Sequence, residues 1–150
     1  HPAFNCPIHG EENKIGYGLK FGGLTDTLHH HGNTPDGMAV MEDKVLALKS
    51  GCVTFTEGFF DECTYMAEGK QTGEVSLIDR EGAPYVTVKF DTPLFAVWSP
   101  EGKNAPFVCI EPWYGRCDAT DFTGTLQQRD YENMLPQGGI FKASYSIAYL

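Results

Sequence analysis

The sequence has no apolar run long enough to cross a membrane, and it carries little positive charge. No uninterrupted apolar segment approaches the roughly 18 residues that a transmembrane helix needs. Eleven Lys and Arg stand against twenty Asp and Glu, which gives a formal net charge of −9. Because such a chain repels phosphate backbones and anionic lipid headgroups, neither nucleic-acid binding nor membrane binding is expected.

Helical periodicity is also scarce, since no long segment repeats apolar residues at the spacing of one helix face. We therefore expect less than about 10% helix, far below the usual share, with one short turn of helix over Glu57–Asp61. Seven or eight short strands, separated by Gly- and Pro-containing turns, instead predict an antiparallel β-sandwich or barrel in a single domain over residues 1–150. The clearest strand patterns are Tyr17–Phe21, Val53–Phe55, Glu74–Ile78, Tyr85–Phe90, Leu94–Trp98, Phe107–Ile110 and Lys142–Tyr149.

Paired cysteine motifs are missing as well. The five cysteines are odd in number, and no two form a Cys-x-x-Cys pair. This pattern favours reduced thiols and a cytoplasmic protein over a disulfide framework. The five positions are Cys6, Cys52, Cys63, Cys109 and Cys117.

The sequence also lacks a phosphate-binding glycine loop, a nucleophile elbow and the ligand spacing of a zinc site. The one cluster that suggests a metal is His29–His31. Adjacent residues of a strand point to opposite faces, so three consecutive histidines cannot easily converge on one ion. We expect the triplet to lie in an exposed loop and to bind no structural metal.

The most distinctive segment runs from Ala105 to Asp118. An apolar strand ends in Glu111, and Pro112 is expected to stop the strand there. Burial beside the two following aromatic side chains would raise the pKa of the Glu111 carboxyl. Flat aromatic rings suit the C–H faces of a sugar, and a nearby guanidinium offers hydrogen-bond donors. The alternative is an ordinary strand edge in which Glu111 forms an ion pair with Arg116.

The segment Phe107–Arg116 resembles the Glu-Pro-Trp-Tyr-Gly signature of the aldose 1-epimerase, or galactose mutarotase, superfamily. His1–Asn5 is similar to the His-Pro-Ala-Phe-Asn segment of the LacX-type branch. Val97–Pro100 fits the same pattern, as do Leu135-Pro136 and the closing strand Phe141–Tyr149. The resemblance extends along essentially the whole chain.

Members of that superfamily are about twice as long as this chain, which therefore resembles their C-terminal half. The resemblance implies an all-β fold, namely the C-terminal half of a galactose mutarotase-like β-supersandwich of large antiparallel sheets. The expected macromolecular partner is the N-terminal half of the parent protein, or a second copy of the chain. In the family the N-terminal half normally supplies an arginine and a second histidine to the site.

The resemblance also implies roles for individual residues. Glu111 stands at the position of the general base, and His1 at that of the general acid. An aspartate that binds a sugar hydroxyl is replaced here by Glu62, with Asp61 before it. Sugar-facing walls are assigned to Phe4, Trp113 and Tyr114, and a positioning donor to Arg116.

The implied reaction is the interconversion of the α and β anomers of an aldohexose by acid/base ring opening and closure. It requires neither a metal nor an organic cofactor. Three alternatives stay open: a carbohydrate-binding module without turnover, a sugar-phosphate mutarotase with cationic groups at the pocket rim, and a remnant with no function of its own.

Overall fold

The computed structural model describes residues 1–62 and 64–150, and it is built almost entirely of β-strands. A single three-residue 3-10 turn, Leu126–Gln128, accompanies eleven strands within these ranges. The strands are β1 Ala3–Asn5, β2 Gly18–Phe21, β3 Thr27–Asn33, β4 Ala39–Ala47, β5 Cys52–Thr54, β6 Tyr65–Glu68, β7 Glu74–Ile78, β8 Pro84–Phe90, β9 Leu94–Trp98, β10 Phe107–Trp113 and β11 Tyr145–Tyr149.

The strands form two antiparallel sheets. One sheet has six strands in the order β1-β10-β9-β6-β3-β4, and the other has five in the order β11-β8-β7-β2-β5. Apolar side chains from both sheets meet in one buried cluster, to which β2 contributes Leu19 and Phe21 and β10 contributes Val108 and Ile110. The predicted all-β antiparallel sandwich is confirmed.

The apolar run of β9 has a simple physical origin. This strand lies in the middle of the six-stranded sheet, paired with β10 on one side and β6 on the other. Its inner face packs into the main core through Phe95 and Val97, while Ala96 packs on the opposite face against Met66. Because both faces of this strand are covered, neither face has solvent-exposed positions for polar residues, and the strand is a continuous apolar run.

Two expectations about local structure are wrong. Pro112 does not end its strand, because β10 continues through Trp113 and pairs with β9 at both positions. The Ile110 amide points toward β1, where it donates to Pro2 O at 3.2 Å. Two residues on, the proline nitrogen faces the same side, so the β9 ladder loses no hydrogen bond. Glu57–Asp61 forms turns rather than a helical turn.

The histidine triplet lies in β3 and not in an exposed loop, because β3 and β4 pair over a long hairpin from Thr27↔Ala47 to Asn33↔Ala39. His29 is exposed, whereas His30 is buried against the Tyr65 ring at a centroid distance of 4.7 Å. Burial lowers the pKa of His30. Neighbouring histidines therefore occupy opposite faces of the sheet, as strand geometry requires.

Four cysteines, Cys6, Cys52, Cys109 and Cys117, carry free thiols, and Cys63 lies outside the described residues. The expectation of five titratable thiols stays a prediction. Among the described residues, no helix is long and apolar enough to cross a membrane.

Candidate functional site

Strand register brings His1 to Glu111 across 110 positions of sequence. β1 runs antiparallel to β10 with Ala3 opposite Cys109, and two residues further along this pairing His1 stands opposite Glu111. The hydrogen bond from the Ile110 amide to Pro2 O extends the ladder to that point. Both side chains lie on the outer face of the six-stranded sheet, since Phe4 and Val108 occupy the inner face.

The two side chains are in direct contact. His1 Nε2 lies 3.2 Å from Glu111 Oε1, and the Trp113 indole N–H donates to Glu111 Oε2 at 3.2 Å. The Glu111 side chain is only 3% exposed, whereas that of His1 is 64% exposed. The Trp113 indole thus binds one oxygen of the buried carboxylate, and the largely exposed His1 imidazole contacts the other.

Burial raises the pKa of the Glu111 carboxyl, and the hydrogen bond from Trp113 opposes this shift because it favours the charged form. The direction agrees with the expectation from sequence. A carboxylate with a raised pKa is a stronger base than an exposed one and can take up a proton nearer neutral pH. The neighbouring imidazole is a second group that can take up or release a proton.

Aromatic rings stand on both sides of the pair. The His1 ring meets the Trp98 ring edge to face at 5.7 Å, and Trp113 borders a cavity of about 470 Å³. Trp113 in turn packs against the buried apolar side chains of Ala96 and Met66. The site therefore presents one acid/base pair between flat apolar surfaces.

Of the predicted sugar-binding residues, all within ranges 1–62 and 64–150, Trp113 is the one that contacts Glu111. Tyr114 follows it but packs edge to face against Phe141 at 5.1 Å, and its hydroxyl donates to Asp91 O. Phe4 is buried between the sheets, on the face opposite Glu111, so its position does not fit a sugar contact.

The Arg116 guanidinium is buried, and each of its three nitrogens forms a hydrogen bond away from Glu111. Its Nε donates to Glu68 Oε1 at 2.6 Å and its Nη2 to Asp130 Oδ2 at 2.7 Å, while Nη1 donates to the Cys117 carbonyl. It therefore does not form the ion pair with Glu111 that the alternative interpretation required. Arg116 lines the cavity beside Trp113 but offers its donors to protein carboxylates.

Asp61 and Glu62 are exposed. The Asp61 carboxylate accepts a hydrogen bond from the Gly102 amide at 2.9 Å and lines a different cavity, of about 300 Å³, together with Lys14. The Lys14 ammonium is buried there and donates to Ser99 Oγ and to the Ala105 carbonyl. The sugar-binding roles of Asp61 and Glu62 stay predictions, and no contact of either residue with Glu111 supports them.

Cys109 and Trp98 also lie near the pair, although no sequence motif predicted their positions there. Cys109 lies on the same face of β10 as Glu111, two residues earlier, and Trp98 pairs with it from β9. A period-two reading of β10, starting from Glu111, would have identified Cys109. Trp98 could be placed only from the pairing of β9 with β10.

Comparison with known proteins agrees with this architecture. No family model matches the chain. Two curated relatives, the chromosomal and the plasmid-encoded LacX proteins of Lactococcus lactis subsp. lactis, are each 24% identical over 152 aligned positions. The alignment covers the whole chain but 50% of each relative, so the chain spans about half their length.

Two solved structures resemble the fold. A galactose mutarotase related enzyme from Lactobacillus acidophilus superimposes with a TM-score of 0.80 at 26% identity, covering all of this chain and 50% of that one. The chain has a galactose mutarotase-like fold. A galactose mutarotase-like protein from Lactobacillus casei ATCC 334 shares the fold at a TM-score of 0.73 and 20% identity, over 97% of this chain and 49% of the other. The chain thus corresponds to about half of a galactose mutarotase-like protein.

Replacing Trp113 with Phe is expected to raise the pKa of Glu111 further, because the ring remains while the N–H that favours the charged carboxylate is lost. The measurement is an NMR titration of the ¹³C-labelled Glu111 carboxyl. Trp98→Phe is the control, since Trp98 contacts the His1 ring and not the carboxylate. An unchanged titration midpoint in Trp113→Phe would show that this hydrogen bond does not tune the carboxyl.

Proposed function

We propose that the parent protein, meaning the product of the longest reading frame that contains these 150 residues, interconverts the α and β anomers of an aldohexose. The observation that carries the proposal is the contact of 3.2 Å between His1 Nε2 and Glu111 Oε1 beside Trp113. Anomer exchange needs one group that takes a proton and one that gives a proton, within reach of the same carbon atom.

Glu111 is the base and His1 the acid. The carboxylate removes the proton from the anomeric hydroxyl as the C1–O5 bond breaks, and the imidazolium gives its proton to O5. The resulting open aldehyde rotates about C1–C2, and the ring closes on the other face with the two proton transfers reversed. Because both oxygens are bonded to C1, an acid and a base that touch each other can serve both of them.

The buried position of Glu111 and the aromatic surroundings support this assignment over an incidental surface ion pair. An exposed pair would not raise the pKa of the carboxyl, whereas burial raises the pKa of Glu111 here. The face of Trp113 can contact the C–H face of a sugar ring, and its N–H already orients the carboxylate.

A neutral sugar is a better substrate than a sugar phosphate for this site. The two arginines that line the cavity beside Trp113 are both paired with carboxylates. Arg116 binds Glu68 and Asp130, and Arg129 contacts Asp118 and Glu132. Neutralised guanidiniums in a chain of net charge −9 offer little attraction to a phosphate.

Polarimetry of freshly dissolved α-glucose and α-galactose tests the proposed function. We expect the parent protein to accelerate the approach to anomeric equilibrium, with a lower kcat/KM for glucose 6-phosphate than for glucose. If the protein binds the sugars in calorimetry without accelerating the exchange, it is a carbohydrate-binding module. A preference for the phosphate would instead favour a sugar-phosphate mutarotase.

We also propose that a second β-rich half, of the kind that makes the relatives twice as long, covers the C-terminal segment of this chain. Strand β11 is exposed along its whole length and pairs with β8 on one side only. Exposed apolar surface and open strand edges of this kind promote association. The exposed large apolar side chains of the segment are Met134, Leu135, Ile140, Phe141, Tyr145, Ile147, Tyr149 and Leu150.

We therefore expect the 150-residue chain alone to self-associate in sedimentation velocity, and the double variant Ile140→Lys/Tyr149→Lys to do so much less. Both side chains are more than 70% exposed, so their replacement removes little packing within the chain. Circular dichroism checks that both samples keep their β-structure. A folded chain that stays monomeric at its solubility limit would contradict the proposed covering half.

A further inference from the structure

His1, Cys109 and Glu111 bring three kinds of metal-binding atom to one place on the outer face of the six-stranded sheet. The imidazole nitrogen, the thiol sulfur and a carboxylate oxygen all lie within 4.8 Å of one another. Proton transfer to a sugar uses only two of these groups, so the anomer chemistry does not account for the thiol.

The sheet fixes this cluster. Cys109 and Glu111 alternate along β10 and point to the same face. His1 stands opposite Glu111, and its ring reaches toward Trp98, the β9 residue paired with Cys109. The imidazole therefore lies over the space between the thiol and the carboxylate.

The separations suit a tetrahedral ion. With bonds of about 2.0–2.3 Å, ligand atoms around zinc stand roughly 3.3–3.8 Å apart. The His1 and Glu111 atoms are already 3.2 Å apart, and the sulfur needs to approach by about 1 Å from the outer limit of the cluster. Imidazole and thiolate ligands select zinc-class ions over Mg²⁺ or Ca²⁺. The exposed side of His1 leaves room for a water as the fourth ligand.

We propose that His1, Cys109 and Glu111 form a binding site for a zinc-class divalent cation. On binding, the Cys109 thiol releases its proton to solvent and the thiolate, the His1 nitrogen lone pair and the Glu111 carboxylate bind the ion. The filled site is inactive toward sugars, because the ion occupies the lone pair and the carboxylate that move protons. This inhibition rests on the proposed function, whereas the binding itself does not.

Cobalt(II) is the probe, added to the metal-free parent protein in the absence of sugar. We expect one bound ion and a near-ultraviolet thiolate-to-cobalt absorption band. Cys109→Ser should abolish the band, and His1→Gln should weaken binding by at least about tenfold, since even partners outside the ligand shell change affinity by 10- to 100-fold. Cys117→Ser is the matched control, because Cys117 packs beside Trp113 outside the cluster, and its band should be retained.

A folded parent protein without a thiolate band would overturn the site, and so would a band that survives Cys109→Ser or a cobalt affinity that His1→Gln leaves unchanged. If Cys109→Ser does not fold, His1→Gln decides, because the His1 side chain is largely exposed. Zinc should stop anomer exchange, and chelation should restore it; zinc that binds without slowing the exchange would overturn the inhibition. A cobalt band in a protein without anomer exchange would sustain the metal site and reject the proposed function.

Discussion

Glu111→Gln is expected to lower the catalysed rate of anomer exchange in the parent protein by more than about 100-fold, which corresponds to about 3 kcal/mol of transition-state stabilisation. The amide has nearly the shape of the carboxylate and can still accept the Trp113 N–H, but it cannot take a proton from the anomeric hydroxyl. The measurement is the initial rate of polarimetric change with freshly dissolved α-glucose.

The same variant should not lose thermal stability. A carboxyl whose pKa is raised in the folded state binds more protons there than in the unfolded state. Its ionisation therefore costs folding free energy above its folded pKa, and that cost disappears below the ordinary carboxyl pKa. We expect Glu111→Gln to match or exceed the parent in melting temperature at neutral pH, with the difference vanishing in acid.

Glu74→Gln is the control for this variant. Glu74 forms a partly exposed ion pair with Lys89 on the five-stranded sheet, whereas Glu111 lies on the six-stranded sheet. Its replacement should leave the rate unchanged, because Glu74 lies on the other sheet. It should also change the stability little, because an exposed ion pair contributes little to it. A Glu111→Gln protein as active as the parent would exclude Glu111 as the base.

His1→Asn is expected to lower the rate by about 10²- to 10⁴-fold, the usual contribution of a positioned general acid. The imidazole is 64% exposed and contacts Trp98 only through a ring edge, so its removal should cost little stability. His29→Asn is the matched control, since His29 is also exposed and pairs with Asp43 at 2.9 Å.

Local sequence patterns predicted the central strands well. The bounds of β7 and β9 agree with the predicted Glu74–Ile78 and Leu94–Trp98, because β7 alternates polar and apolar residues, β9 is an apolar run, and turn residues follow both. The histidine-rich strand β3 was missed because its polar side chains hide the alternation, and because its partner β4 presents mostly exposed positions. Its strand character follows from pairing, which a local pattern does not contain.

The candidate site was less accessible to sequence reasoning. The resemblance predicted roles for Glu111 and His1 as base and acid, but their contact depends on the register between two strands distant in sequence. The role expected of Arg116 ignored Glu68, which comes from β6 and occupies the guanidinium. Likewise, the aromatic side chain of Phe4 gave no sign of which face it would occupy until β1 was paired with β10.

The central claim is that Glu111 and His1 act as one unit on one carbon atom, and a double-mutant cycle on the catalysed rate tests it most directly. Groups that act together give strongly non-additive losses. We expect Glu111→Gln/His1→Asn to be within a few-fold of the slower single variant, as measured by polarimetry on the parent protein. Losses that multiply, with each substitution costing the same in the presence or absence of the other, would contradict the account.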